Sequence, residues 1–238
     1  LGQNVNSFNH EGRRFHELLH EVSLIEGIQR IRYTSPHPQD FDDELIQVHA
    51  SNPKICNHIH FPLQAGSDEV LERMNRTYTK QHFLDLAQKM RDNIPGLALS
   101  TDMIVGFPGE TESDFLETLD VMKKVKFDTA FTFKYSSRPG TKASEFEDTV
   151  PENDKQERLQ RMIALQREHT LLRNQEHIGE QVEVLVEKNS KKSEKQHQGR
   201  TRSNKIVIFD KAGEEPGDLV KVEIIDAQGI TLFGRILE

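Results

Sequence analysis

The chain has 238 residues, a net charge of -8 at pH 7 and 34% hydrophobic residues, which is enough for one large domain or two moderate ones with a sizeable core. No apolar run approaches the ~18 residues that a membrane-spanning helix needs, and the start lacks a signal-peptide pattern. The single cysteine, Cys56, excludes a disulfide framework and predicts a reducing, cytoplasmic setting. The acidic balance argues against wholesale coating of nucleic acid, though a local basic patch is compatible with it.

In chain order, residues 1–150 alternate helix and strand, the pattern of a parallel α/β sheet or barrel. A helix is predicted over Phe15–Ser23, a strand over Gln29–Ser35, and a helix over Asp42–Ala50 with Asp42 and Asp43 at its positive end. A strand follows over Asn57–Gln64, then helices at Asp68–Met74 and Lys80–Arg91. Leu97–Val105 reads as the next strand, Ser113–Lys124 as a helix, and Phe127–Tyr135 as a strand. Thr111 stands three residues ahead of Asp114, a box-like helix start. Residues 151–177 hold a long amphipathic helix opened by Pro151, with Leu159, Met162, Ile163, Leu165 and Leu172 as its predicted contacts. Residues 178–238 change pattern: Gln181–Glu187, Lys205–Phe209, Leu219–Ile225 and Gly229–Leu237 read as short strands of a small β-barrel or sandwich.

Side chains alternate across a strand, so each strand has two readable faces. His58, His60 and Gln64 oppose Ile59, Phe61 and Leu63; Ser100, Asp102 and Ile104 oppose Thr101, Met103 and Val105. Arg30, Arg32 and Thr34 oppose Ile31 and Tyr33, and Asp128, Thr132 and Lys134 oppose Phe127, Phe131, Phe133 and Tyr135. A parallel strand covered on both sides reads as continuous Val, Ile and Leu. Polar rows buried without partners would be costly, so these rows are expected to line a wet or ligand-filled cavity.

His58 and His60 have the alternation of a metal pair, but no third ligand completes a set, and a hydrogen-bonding role is expected instead. Cys56 has nothing beside it to activate it and reads as packing. Asp102 is either a cavity acid or a carboxylate that steadies the following turn. Arg138-Pro139-Gly140 has the form of a type II turn, with Arg138 at the cavity rim. Between Lys188 and Lys205, seven cations stand against the single acid Glu194. A charge run is usually a solvated loop, but this one lies between strands of a small β domain in an acidic chain. Lys191, Lys192, Lys195, Arg200, Arg202 and Lys205 are therefore candidate RNA-backbone contacts. Aromatic residues are scarce there, which disfavours base stacking by this loop.

Several longer segments occur in a fixed order: Gly2-Gln3-Asn4, Tyr33-Thr34-Ser35-Pro36-His37-Pro38, His58-Ile59-His60-Phe61-Pro62-Leu63-Gln64-Ala65-Gly66-Ser67, Asp102-Met103-Ile104-Val105-Gly106-Phe107-Pro108-Gly109-Glu110 and Ser137-Arg138-Pro139-Gly140. This ordered set resembles the radical S-adenosylmethionine (SAM) methylthiotransferases, in particular the MiaB-type branch that acts on tRNA. The end of the chain, with Ser190-Lys191-Lys192-Ser193 and Gly199-Arg200-Thr201-Arg202-Ser203-Asn204, resembles the TRAM domain, a small RNA-binding, OB-like barrel. The resemblance implies a partial radical SAM (β/α) barrel over residues 1–150, followed by the TRAM barrel. It further implies S-adenosylmethionine at Gly2, Gln3, Asn4, Ser35, Gln64, Asp102, Ile104 and Gly106, and tRNA as partner of a monomeric, non-membrane enzyme. The reaction implied is methylthiolation at C2 of an isopentenyl-type adenosine next to the anticodon. Alternatives are a methylthiotransferase of a ribosomal protein, or a non-catalytic RNA-binding protein.

The family holds [4Fe-4S] clusters through Cys-x-x-x-Cys-x-x-Cys and a further three-cysteine domain, and thiolates are indispensable to such clusters. This chain has one cysteine, outside any such motif. The resemblance therefore implies the back part of a larger enzyme, lacking the cluster-binding portion and the first barrel strand. No residue here is assigned to a metal or given a catalytic role, and the chain by itself is expected to be inactive.

Overall fold

The computed structural model describes residues 4–237. A short antiparallel pair, β1 (Asn9–His10) and β2 (Arg13–Arg14), precedes α1 (Phe15–Leu24) and α2 (Asp43–Ser51). Next come β3 (His58–His60), α3 (Asp68–Arg73), α4 (Lys80–Asn93), β4 (Ala98–Val105), α5 (Glu112–Val125) and β5 (Thr129–Lys134). The strands β3-β4-β5 form one parallel sheet. The expected strand over Gln29–Ser35 reduces to one bridge, Ile31 to Ile55, and Gln64 rejoins the sheet by one bridge to Met103. Extended chain here runs alongside the sheet without a continuous ladder.

Local sequence explains the helix ends. The Thr111 hydroxyl accepts from Asp114 N while the Asp114 carboxylate accepts from Thr111 N, so the two residues box the start of α5. Asp42 and Thr79 cap α2 and α4 by accepting from Leu45 N and His82 N. The helices cover the apolar face of the sheet. Ile59, Phe61, Leu63, Leu99, Met103 and Val105 are all fully buried there, and Phe61 stacks on Phe83 of α4 with centroids 4.4 Å apart. The opposite face carries His58, His60, Ser100 and Asp102 and is left open by the helices.

On β5 the expected orientation is reversed. Register pairs Ser100 with Thr129, Asp102 with Phe131 and Ile104 with Phe133, so Phe131 and Phe133 share the open face with the polar rows of the neighbouring strands. Phe131 and Phe133 are 52% and 51% exposed. Alternation separates two faces but does not say which one the helices cover.

The long helix α6 (Glu152–Gln175) also differs from expectation. Its buried seam is Lys155, Arg158, Met162, Gln166, His169, Thr170 and Asn174, of which only Met162 is apolar. Leu172 is exposed, while Leu159 and Leu165 touch the core from the side. Polar groups are tolerated in this seam because neighbouring backbone satisfies them: Gln166 Nε2 donates to Phe127 O at 2.8 Å and Thr170 Oγ1 to Asp128 O at 2.9 Å.

The last unit is a closed five-stranded barrel of β6 (Gln181–Asn189), β7 (Gln196–Thr201), β8 (Ile206–Asp210), β9 (Leu219–Gln228) and β10 (Thr231–Ile236), in the order β10-β8-β7-β6-β9. Val184, Val186, Val207, Phe209, Val222, Ile224 and Leu232 fill it. The strand Gln196–Thr201 lies within the stretch read as a cationic loop. Gly199 in its middle is required, because a Cβ there would overlap the Val184 side chain and the Leu185 backbone. Among the described residues, no helix is long and apolar enough to cross a membrane.

The barrel is locked to the α/β part through the buried pair Lys205–Asp128, at 2.7 Å and 6% side-chain exposure each. Lys205 Nζ also donates to Asn174 Oδ1 at 2.9 Å, and Leu99 N donates to Asp128 Oδ2 at 2.9 Å. Asp128→Asn, which leaves the Lys205 charge buried without a counter-charge, is expected to lower unfolding free energy by about 3–5 kcal/mol. The double replacement Asp128→Leu with Lys205→Met is expected to cost less than the two single changes together, as guanidinium unfolding would measure.

Candidate functional site

A cleft of about 570 Å³ opens between the uncovered sheet face, the end of α6 and the barrel. His58, His60, Ser100, Asp102 and Phe131 line the sheet side, while Arg200, Asn204, Lys205 and Ile230 line the barrel side. The alternation of β3 and β4 puts the four polar residues on one wall, and they form a continuous network. His58 Nε2 and His60 Nδ1 each lie 3.0 Å from Ser100 Oγ, and His60 Nε2 lies 3.2 Å from Asp102 Oδ2.

Burial, aided by Arg32 nearby, pushes the His58 imidazole down to about 4, so it is neutral at physiological pH. Ser100 Oγ bridges the two imidazoles, and His60 Nε2 reaches Oδ2 of the half-buried Asp102 carboxylate, so the four groups form one hydrogen-bonded chain from His58 to Asp102. Asp102 is therefore a cleft residue rather than a turn brace.

The backbone around the cleft has a second feature. Asn4, Ser35, Gln64 and Gly106 have φ of 59°, 61°, 71° and 71°. Left-handed backbone is uncommon for residues other than glycine and clusters where function over-determines the chain. Backbone bonds hold it here: Val5 N donates to Ser35 O at 3.2 Å, and Ile104 N to Gln64 O at 2.9 Å. At Gly106 a Cβ would run into the Lys155 stem. Glu110, buried, accepts from Gly106 N at 3.0 Å and from Arg158 Nη1 at 2.7 Å. Its place is under the turn rather than in the cleft. Asn4 Nδ2 donates to Asp40 Oδ2 at 2.7 Å, while the buried Asn4 Oδ1 has no partner among the described residues.

The structure thus distributes the sequence candidates. Ser35 and Asp102 line the cleft, Ile104 and Gly106 stand at the end of β4 with Gln64 bridged to Met103, and Asn4 precedes the 3-10 turn Val5–Ser7. Gly2 and Gln3 lie outside the described residues. Lys191, Lys192 and Lys195 are exposed in the turn between β6 and β7. Arg200 lies part-exposed at the cleft, 3.3 Å from Glu187. Two candidates require correction. Lys205 is the buried interdomain cation described above, and Arg202 donates from Nη2 to Pro53 O and, at 2.9 Å, to Ile55 O. Both charges are used internally because docking turns their β7–β8 corner toward the sheet. Arg30 and Arg32 likewise leave the cavity row, donating to Arg200 O at 2.9 Å and Thr201 O at 2.6 Å. Cys56 is buried.

The sequence reading missed Asp128 as the interdomain anchor. The available signal was a lone acid just ahead of a strand.

Comparison with known proteins agrees with this division. Residues 5–122 match the radical SAM superfamily and residues 175–237 the TRAM domain. The chain is 48% identical over 239 residues to the tRNA-2-methylthio-N(6)-dimethylallyladenosine synthase of Syntrophomonas wolfei, covering 99% of this chain and 54% of that protein. The synthase of the same name from Acetivibrio thermocellus is 48% identical over 240 residues, covering 100% of this chain and 50% of that protein. The chain thus spans about half the length of the curated relatives it matches. Among solved structures, the coproporphyrinogen III oxidase HemN of Escherichia coli aligns with a TM-score of 0.49 at 14% identity, over 70% of this chain and 45% of that one.

The buried histidines make stability pH-dependent. Burial pushes His49, as well as His58, down to about 4 from the ordinary 6.5. The unfolded chain takes up these protons near 6.5 and the folded chain only near 4. Stability is therefore expected to fall as pH drops from about 6.5 to about 4, and to level off below for these groups. His49→Leu is expected to flatten part of that slope in melting temperature recorded against pH.

Proposed function

We propose, from the premise that this chain is a radical SAM protein ending in a TRAM domain, that the complete protein is a tRNA methylthiotransferase. Its product would be the 2-methylthio derivative of an N6-isopentenyl-type adenosine next to the anticodon. The observation that carries this reading is the match, unbroken through both domains, to synthases of that product. This chain would supply part of the cavity wall and the tRNA grip, acting as a monomer in the cytoplasm.

The residues present fit one implied group and not the other. S-adenosylmethionine carries an ammonium, and Asn4 Oδ1, just ahead of the 3-10 turn Val5–Ser7, is a buried acceptor without a described partner. Asn4 would hold that ammonium, with Ser35, Gln64, Ile104 and Gly106 shaping the adjoining rim. An iron–sulfur cluster does not fit the described residues: Cys56 is a lone buried thiol, and no group of three His, Cys, Asp or Glu has metal-binding geometry. When bound, the two groups together supply the radical chemistry that replaces a C–H bond at C2 of the base with a C–S bond.

Lys191, Lys192 and Lys195 would meet the tRNA backbone, with Arg200 at the cleft mouth. Each phosphate neutralised releases counterions and steepens the salt dependence. Replacing the three lysines by alanine is expected to weaken tRNA binding and to reduce the slope of log K against log salt by about 2–3. In cells lacking the gene, mass spectrometry of tRNA nucleosides is expected to show loss of the methylthio group and retention of the isopentenyl-type precursor. Unchanged methylthio-adenosine, with loss of a methylthio group from a ribosomal protein instead, would replace this reading.

A further inference from the structure

The last strand of the α/β sheet has a free edge. The sheet order is β3-β4-β5, so β5 has a neighbour on one side only. Tyr135 N donates to Val105 O at 2.8 Å, and alternate residues along a strand point their N–H and C=O groups the same way. Thr129, Phe131 and Phe133 therefore serve β4. Ala130, Thr132 and Lys134 turn their peptide groups outward, where they meet no partner among the described residues. Natural sheet edges are blunted by prolines, bulges or charges. Thr129–Phe133 has none of these; its threonines and phenylalanines favour strands, and both rings stand exposed. Lys134, at the end, is tied to Glu152.

Beside that edge, on the face of the sheet that the helices cover, lies a groove of about 220 Å³. Ala130, Thr132, Ile163 and Ile230 give it apolar walls, and Arg167 stands among them. The other arginines of α6 are engaged: Arg158 pairs with Glu110, Arg161 with Glu112 and Arg173 with Glu176. Arg167 is exposed and pairs with no carboxylate among the described residues. Ile163 and Arg167 are one helical turn apart, about 6 Å along the axis. Residues two apart on a strand share a face and are separated by about 6.5–7 Å. A strand added to this edge thus sets an aliphatic side chain over Ile163 and an acid, two positions away, against Arg167.

We propose that the free edge of β5 is a docking site for an extended segment of a partner protein, added as a fourth strand, with an aliphatic residue in the groove and an acidic residue two positions from it paired with Arg167. The peptide groups of Ala130, Thr132 and Lys134 supply the affinity, and the groove and Arg167 supply the specificity. The residue between the aliphatic and the acid faces the other way and packs beside Phe131 and Phe133 as a cross-strand neighbour. The partner is a protein rather than a nucleic acid, because the edge offers backbone donors and acceptors at strand spacing and a single cation. The site is independent of the tRNA reading.

The test uses the 238-residue chain and the peptide Thr-Glu-Val-Ile-Val-Glu-Thr, whose residue order is the same from either end, so that either strand direction satisfies it. In hydrogen exchange followed by NMR, the Ala130, Thr132 and Lys134 amides are expected to exchange fast in the free chain and about tenfold more slowly with peptide, whereas those of Thr129, Phe131 and Phe133 are slow in both. Arg167→Glu is expected to raise Kd, measured by anisotropy of the labelled peptide, about threefold, the scale of one exposed ion pair. It should also reverse the preference, favouring a peptide with lysine in place of both glutamates. Methylating alternate peptide nitrogens should abolish binding in one phase and spare it in the other, since an added strand is read along one edge only. No slowing at the three amides, or equal binding in the two phases, overturns the proposal. If those amides slow with protein concentration alone and light scattering gives twice the mass, the edge is an interface between copies and the partner assignment falls. It falls as well if they are already slow in the complete protein without peptide, because the rest of that protein then covers the edge.

Discussion

The ion pair between Lys205 and Asp128 holds the two halves of this molecule in one arrangement. Two charges taken out of water repay that cost only if their remaining hydrogen-bonding capacity is met. Here Asn174 takes a second Lys205 proton, and Leu99 N donates to the free Asp128 oxygen. Burial alone would push the Asp128 carboxyl up, but Lys205 and Arg173 hold it below the usual carboxylate range. One contact thus ties the start of β5, the backbone of β4, the end of α6 and the β7–β8 corner of the barrel. The cleft exists because these four pieces converge without filling the space between them.

The same lock explains the polar seam of α6. A helix packed on a closed apolar core would bury leucines, but this one packs on strand ends and on a neighbouring domain, where backbone groups need partners. Gln166, Thr170 and Asn174 reach Phe127 O, Asp128 O and Gly229 O. Arg158 does comparable work beneath the Gly106 turn by neutralising Glu110. The helix acts as a polar strut between the Gly106 turn at one end and the barrel at the other.

Electrostatics then separates the cations into two populations. Arg30, Arg32, Arg202 and Lys205 bind carbonyls or a carboxylate across the domain interface. Lys191, Lys192 and Lys195 remain in solvent on a turn. In an acidic chain such a turn provides a local positive field without general affinity for polyanions.

Much of the site could be read from residues alone, since side-chain alternation in a strand is strict. His58 and His60, with Ser100 and Asp102, had to share a wall once β3 and β4 formed, and polar rows inside a helix-covered sheet implied a cavity. The motif segments pointed to the family, because their residue types and order are specific. Tertiary structure decided three further matters. It chose which face of β5 looks inward, since parity separates Phe131 from Thr132 without ranking them. It made a strand of Gln196–Thr201, whose own residues have weak strand preference and which forms because β6 and β8 pair with it on both sides. It also buried Lys205 and tied Arg202 to backbone carbonyls. Along a chain every cation in a run looks alike, and only docking of the barrel onto Asp128 and the backbone around Ile55 distinguishes an anchor from a free charge.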